Sequence, residues 1–410
     1  MMIKQAKRAI LCSTRTPSVI GSPLWSPMVI PESRHCCTRA REALQLHILG
    51  HHGDGPGTRS EVMTKSIVTI VWVIASLLLP GRTLAQSRTL EIYWIDVEGG
   101  AATLAVSPSG ESLLYDAGWE VGDRDAKRIA AAVRQAGLTR IDHFVLSHFH
   151  ADHAGGLVAL SKLVPIGRCY DRGDFIEPAN QRWHDAYLAV CGSKRTIVSV
   201  GDRIPLNGVQ VDVVASNGRL LTAPINRGGP NALCAAAENR PAEGPENQYM
   251  VGALFTFGKF TFLDLADLDW QKEVELACPV NKVGEVTLWQ TSRHGALDGA
   301  GAPALVYAIK PQVVVVNNGP RKGLGGPSPG SPKAQSVHYE RLAKIPGVEG
   351  IWQGHLSLFD REHNTPENMI ANLEDTAECQ GHTIRASVGP DGRFTLTNSR
   401  NGFSKSYTAR

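Results

Sequence analysis

The sequence predicts a layered α/β fold, and three observations carry that expectation. Short apolar runs of strand length recur along the chain and repeatedly end in a carboxylate or an imidazole. Segments of helical period separate them, and glycine-bearing turns join several of the runs into hairpins. The 410 residues suffice for one large layered domain with extensions, or for two ordinary domains. A hydrophobic content of 42% with 20% charged residues matches that of folded proteins, which excludes wholesale disorder.

Taken in order, Leu90 to Val97 and Ala101 to Val106 read as two strands about the Gly99-Gly100 turn. Ser112 to Tyr115 is a third strand ending in Asp116-Ala117-Gly118. Ala126 to Ala136 carries Ile129, Ala132, Val133 and Ala136 on one face and stops at Gly137, the pattern of a capped amphipathic helix. Ile141 to Leu146 is a buried strand, and Gly155-Gly156 turns the chain into a helix over Leu157 to Leu163. Thr196 to Val200 and Val209 to Val214 are strand-like, and Ala223 to Asn247 is polar, Pro-rich loop. A second hairpin, Met250 to Phe257 and Phe260 to Leu265, runs into Asp267. Trp270 to Ala277 reads as helix, and Glu285 to Gln290 as a strand entering Thr291-Ser292-Arg293-His294-Gly295. Ala302 to Ile309 is helical, Val313 to Val316 a buried strand, and Asn317 to Lys333 a Gly/Pro/Ser-rich flexible loop with the composition of a lid. Gln335 to Lys344 is helical, Trp352 to His355 follows a short strand, and Thr383 to Thr397 is a hairpin about Asp391-Gly392.

The first 85 residues have a different character. Met63-Thr64-Lys65, the apolar run Ile67 to Leu79 and the small-residue end Thr83-Leu84-Ala85 have the layout of a secretory signal peptide. The run is too short to span a bilayer comfortably, which takes about 20 apolar residues. Residues 1–62, rich in Arg, His, Cys and Pro, are then a mis-assigned start or a disordered leader, with residues 86–410 the folded domain and about 318–410 a C-terminal extension. Setting the leader aside turns the net charge from +3 to slightly acidic. Bulk attraction for nucleic acid is therefore not expected, nor is a stable membrane span once the signal is removed. The exported product would be periplasmic or extracellular. The sequence does not give the oligomeric state.

Five cysteines lie beyond the leader, none in Cys-x-x-Cys spacing, so a structural zinc knuckle is not expected. In an oxidising compartment Cys169 with Cys191 and Cys234 with Cys278 are candidate disulfides, with Cys379 left over. Packed free thiols are the alternative.

The stretch Ser147 to Gly156 packs His148, His150, Asp152 and His153 into a loop at the end of a buried strand. A loop lets this spacing converge on an ion, whereas a strand would split it between two faces. Imidazole and carboxylate are the ligands zinc and its neighbours prefer. Asp267 and His294 also stand at strand exits. Each has a plainer reading: Asp267 and His294 as cap or turn residues, Asn247 as a turn residue, His184 and His355 as hydrogen-bonded histidines, and Arg293 as a surface charge.

His148-x-His150-x-Asp152-His153 resembles the defining motif of the metallo-β-lactamase superfamily, over about Leu90 to Asn317. That resemblance implies a four-layer αββα sandwich whose strand-end loops hold one or two zinc ions. It also implies His148 and His150 on the first ion, Asp152, His153 and His294 on the second, Asp267 bridging both, and Asp116 supporting the site from behind. Ile95-Asp96-Val97, Leu114 to Gly118, Asn247, Phe262-Leu263 and Arg293-His294-Gly295 are most similar to the metallo-β-lactamase-like domain of the bacterial competence DNA-uptake channel. Arg-His-Gly replaces the usual His-His-Gly, and Leu265-Ala266-Asp267 replaces Thr-Gly-Asp. The usual third histidine of the first ion is missing, leaving Asn247 or His355 as the third ligand.

The implied chemistry is a secreted zinc-dependent hydrolase that uses a metal-activated hydroxide, with Asp152 and Asp267 catalytic and Arg293 steadying an anionic substrate. A phosphodiester or other ester of small-molecule size is the expected substrate. A β-lactam or lactone hydrolase is the alternative of the same class, and a non-catalytic extracellular binding module with a degenerate metal site is the alternative of another.

Overall fold

The computed structural model describes residues 89–174, 177–241, 244–327 and 337–410. The leader, the signal-like segment at 63–85 and part of the Gly/Pro loop lie outside the described residues. Nineteen strands follow in chain order among them: β1 Leu90–Trp94, β2 Thr103–Val106, β3 Ser112–Tyr115, β4 Ile141–Val145, β5 Ile166–Asp171, β6 Arg195–Ile197, β7 Gln210–Ser216, β8 Arg219–Leu220, β9 Gly229–Pro230 and β10 Gly252–Phe257. The remainder are β11 Phe260–Asp264, β12 Val280–Asn281, β13 Leu288–Gln290, β14 Val313–Val316, β15 Gly350–His355, β16 Ile370–Asn372, β17 Ile384–Val388, β18 Arg393–Asn398 and β19 Ser404–Thr408.

They form two large mixed sheets and one small ribbon, β9 with β12. The first sheet runs β19-β18-β17-β1-β2-β3-β4-β5-β6, and the second β16-β15-β14-β13-β11-β10-β7-β8. Alternation along the strands sets the layers. In β1 and the residue after it, Ile92 and Trp94 join the core between the sheets, while Tyr93 and Ile95 join a second core with Ile129, Val133, Leu157, Leu160 and Tyr187. That second core is the outer face of the first sheet, covered by the helices Arg124–Gln135, Leu157–Ser161 and Gln181–Cys191. Between the sheets, Trp94 meets Phe262 edge-on at 5.5 Å, and Thr103 Oγ1 donates to Gln290 Oε1 at 2.9 Å. The helices Trp270–Ala277, Pro303–Ile309 and Val337–Ala343 contribute Leu276, Leu305 and Leu342 to the core on the second sheet. This is the expected α/β sandwich of paired sheets between helices.

Two features position the site. Strands β3 to β5 run parallel, as do β11, β13 and β14, so several carboxyl ends in each sheet point the same way. Loops at the carboxyl ends of parallel strands are where α/β sheets place ligands.

Residues beyond 318, expected as an extension, supply β15 and β16 to one sheet and β17 to β19 to the other. The hairpin about Asp391-Gly392 is present, with Val388 opposite Phe394. A further strand, Ser404–Thr408, pairs beside it, and its Tyr407 hydroxyl accepts the Trp352 indole N–H at 3.1 Å.

Both candidate disulfides are formed. Cys169–Cys191 ties β5 to the helix over it, and Cys234–Cys278 ties the Ala232–Ala236 turn to the end of the helix Trp270–Ala277. Cys379 is a free thiol. Among the described residues, no helix is long and apolar enough to cross a membrane.

Candidate metal centre

The site begins with Asp116, which leaves β3 with φ +63 and is fully buried. Its Oδ1 accepts the Ser147 backbone N–H at 2.7 Å, and its Oδ2 accepts the Ser147 hydroxyl at 2.7 Å. The same Oδ2 lies 2.7 Å from His153 Nδ1. Asp116 thus anchors the loop after β4 and turns the His153 ring so that Nε2 faces away from it. Such a carboxylate behind an imidazole fixes its tautomer and raises its basicity.

The loop itself is compact. Ala151–Ala154 forms one helical turn, and Gly156 then passes so close to the preceding strand loop that a Cβ there would lie 2.1 Å from the Ala117 carbonyl oxygen. Ser147 Oγ lies 2.9 Å from His148 Nδ1, and His148 Nε2 lies 2.9 Å from His150 Nδ1.

The second sheet brings the remaining groups. Asp267 follows β11, in a turn where Asp264 Oδ1 accepts the Ala266 N–H at 2.9 Å. His294 follows β13, and both it and Arg293 hold left-handed backbone, with φ of +57 and +52. Non-glycine residues kept in that region cluster at functional sites, where the surrounding fold over-determines them. The Arg293 N–H donates to the Ala266 carbonyl at 3.0 Å and so joins these two strand exits.

Two groups of ligand atoms result. Asp152, His153, Asp267 and His294 converge, all buried, with one ligand atom from each within 4.8 Å of the others. His153 Nε2 is 3.5 Å from Asp152 Oδ2 and 3.4 Å from Asp267 Oδ1, while His294 Nε2 is 3.2 and 3.3 Å from the same two oxygens. His148, His150 and Asp267 form the second group at the same spacing. Asp267 is common to both groups.

Burial disfavours charge on every group here, and the neighbours decide which charges survive. Burial raises the carboxyl groups of Asp152 and Asp267, but Lys322 and His153 outweigh it for the first, and His294 and His153 for the second. Both therefore ionise well below the usual carboxylate range. His148 is held neutral, well below the usual imidazole range, by burial and then by His153 and His150. His153 is the exception. Burial lowers it, yet Asp152, Asp267 and Asp116 together hold it well above that range. The two ionised carboxylates and the neutral His148 are in the protonation states metal binding needs, and His153 would give up its proton to a bound ion.

The other candidates fall differently. His355 is corrected as a third ligand, because its Nε2 lies 2.7 Å from Asp96 Oδ1 and it groups with Asp96 and Cys379, not with His148 and His150. His184 packs its ring edge-on to Phe149 at 5.1 Å. Arg293, expected to steady an anionic substrate or else to be a surface charge, is 9% exposed. Asn247 lies on the helical turn Pro245–Gln248, beside Glu246, whose Oε1 accepts the Phe149 N–H at 2.8 Å, and past the turn the Val251 N–H donates to the Ser147 carbonyl at 2.9 Å. Its Oδ1 is buried without a hydrogen bond.

Two further residues at the centre were not singled out from the sequence. The Asn317 side-chain amide, just past β14, lies 3.1 Å from His294 Nδ1. Its position after a buried strand was the available signal. Lys322 forms an ion pair with Asp152.

Residues 95–211 match the family model described as the metallo-beta-lactamase superfamily, and the mixed α/β architecture agrees with that fold. No curated protein matches the chain. Among solved structures, a subclass B3 metallo-beta-lactamase from a soil metagenome library is 19% identical with a TM-score of 0.28, covering 45% of this chain and 61% of that one. The present chain thus spans less than two thirds of that lactamase. The metallo-beta-lactamase fold protein YhfI from Bacillus subtilis is 13% identical with a TM-score of 0.38, covering 64% and 95%. CmlA, a diiron beta-hydroxylase from Streptomyces venezuelae, is 15% identical with a TM-score of 0.33, covering 56% and 44%.

Proposed function

We propose that this protein is an exported, metal-dependent hydrolase of ester bonds, zinc being the ion best suited to its donors and phosphodiesters or related phosphoesters its substrates. One observation carries the reading. His153 Nε2 and Asp267 Oδ1 are buried and, as an ion pair 3.4 Å apart beside Asp152 and His294, do not close to a hydrogen bond. Leaving such atoms unsatisfied is costly unless an ion completes them. Two imidazoles and two carboxylates match the preferences of zinc.

In this reading Asp152, His153, Asp267 and His294 hold one ion, while His148, His150 and Asp267 hold the other. Asn247 is the third ligand of the latter, through the buried amide oxygen that has no hydrogen bond. Ions bound there would lower the pKa of water toward neutrality and polarise the ester. The chain's own groups do the rest. Asp116 keeps the His153 ring turned, and Asp152, ionised at any working pH, orients water and accepts its hydrogen bond.

Export is supported by the two disulfides, which suit an oxidising compartment, and by the signal-like segment at 63–85. The phosphoester preference rests on the resemblance to the competence-channel domain, and the slightly acidic charge of residues 86–410 favours small substrates over long nucleic acid. A second reading, a binding module with a degenerate centre, draws on one observation: His355, the histidine weighed as a third ligand for the first ion, is engaged elsewhere, on Asp96.

Bis-p-nitrophenyl phosphate and nitrocefin, assayed side by side before and after chelation, separate these readings. The proposal expects phosphodiester turnover that chelation abolishes and zinc restores. Nitrocefin turnover alone would move the substrate to β-lactams, and metal-bound protein inert on both substrates and on a broad ester panel would favour the binding module.

A further inference from the structure

Lys322 reaches the centre from the loop after β14, and its ammonium forms an ion pair with Asp152 Oδ2, the oxygen that also lies 3.2 Å from His294 Nε2. Its placement is built into the fold. Gly319 and Lys322 pair as an isolated bridge, with the Gly319 N–H donating to the Lys322 carbonyl at 3.0 Å. This turn packs so tightly on Gly99 that a Cβ there would lie 2.8 Å from both Gly319 N and Lys322 Cβ. Two residues further on, the Leu324 N–H donates to the His294 carbonyl at 3.1 Å. The ammonium rests 4.4 Å from the Trp119 ring centroid, a cation–π contact, and the side chain is 34% exposed. The root is fixed by the turn, and the ammonium is supported by the Trp119 ring.

Metal ions in the centre would take the Asp152 carboxylate for themselves. The ammonium would then stand beside further positive charge, a repulsive arrangement in a partly buried site. An anionic oxygen placed between the ions and the ammonium removes that repulsion, whereas a neutral ester leaves it in place. Lysine is suited to such a role as a point-charge binder of phosphate.

We propose that Lys322 is a specificity-determining residue that binds a phosphoryl oxygen of the substrate beside the metal centre, selecting phosphoesters over neutral esters. The inference rests on the metal-dependent reading above, and the two can fail separately.

The test uses the full chain and its Lys322→Met, Lys322→Gln and Lys322→Arg variants, each loaded with zinc and dialysed free of excess ion. Metal is counted by mass spectrometry, and inorganic phosphate is titrated by calorimetry. Equal metal content in all four proteins is expected. Phosphate affinity should fall about tenfold or more in the Met and Gln variants, the loss of one charge-assisted hydrogen bond, and stay within about threefold in the Arg variant. Phosphate binding that is absent from the zinc-loaded wild type, or unchanged in both neutral variants, overturns the role of Lys322 and leaves the metal-dependent reading standing. Neutral variants that lose metal would make Lys322 a support of the centre, which also overturns it. A wild-type chain that takes up no metal overturns both.

Discussion

Asp116 controls the centre without reaching its ligand atoms. With Oδ2 on His153 Nδ1 at 2.7 Å and both oxygens on Ser147, it holds the ring and the loop together. Asp116→Asn should therefore weaken metal binding by about 10- to 100-fold, measured by competition with a chromogenic chelator. Glu273 carries a different consequence, for stability. Burial pushes its carboxyl up to about 8 from an ordinary 4.5, because the Ser292 hydroxyl at 2.6 Å and the Ala302 N–H at 2.7 Å only partly offset desolvation. The unfolded chain releases this proton near pH 4.5, while the folded chain keeps it to about 8. The stabilising share of this group is thus complete below pH 4.5 and is lost as pH rises through 8, at no more than about 1.4 kcal/mol per pH unit. Replacing Glu273 with Gln should flatten the dependence of Tm on pH across that window, since the Ser292 hydroxyl can turn to accept from the new amide. An unchanged slope would assign the pH dependence to other groups.

At the scale of elements, the recurring unit is a parallel strand that ends in a loop bearing a candidate ligand. Apolar runs ending in Asp116, the His148 motif, Asp267 and His294 were legible because period and polarity change together at each strand end. Other elements were not. Strand β5 is broken by Gly167 and Arg168, whose pattern hides that it lies between β4 and β6, and the helix Gln181–Cys191 scatters polar residues around its face. Strand β19, with Ser404, Lys405 and Ser406, is an edge strand of low apolar content that only its partner defines. Lys322 was hidden for another reason: its chemistry comes from tertiary approach, not from spacing along the chain. The disulfide joining β5 to the helix Gln181–Cys191 closes a separation of 22 residues, so Cys169→Ser with Cys191→Ser should cost about 3 kcal/mol in urea denaturation. A loss well under 1 kcal/mol would mean that packing of Tyr187 and its neighbours holds this edge unaided.

For the whole molecule, the centre joins the two sheets, since Asp116, Asp152 and His153 come from one and Asp267 and His294 from the other. Metal bound there should stabilise the folded chain as a unit. At a free ion concentration of about one hundred times Kd the gain is about 2.7 kcal/mol, enough to raise Tm by several degrees over the metal-stripped protein in a thermal scan. The most direct measurement is the metal content per chain of untagged wild-type protein and its Asp267→Ala variant, determined by mass spectrometry after dialysis against zinc. About two ions in the wild type, and the loss of at least one in the variant, is the predicted result. Equal metal content in the two proteins, or none in either, would contradict a centre built on a shared Asp267.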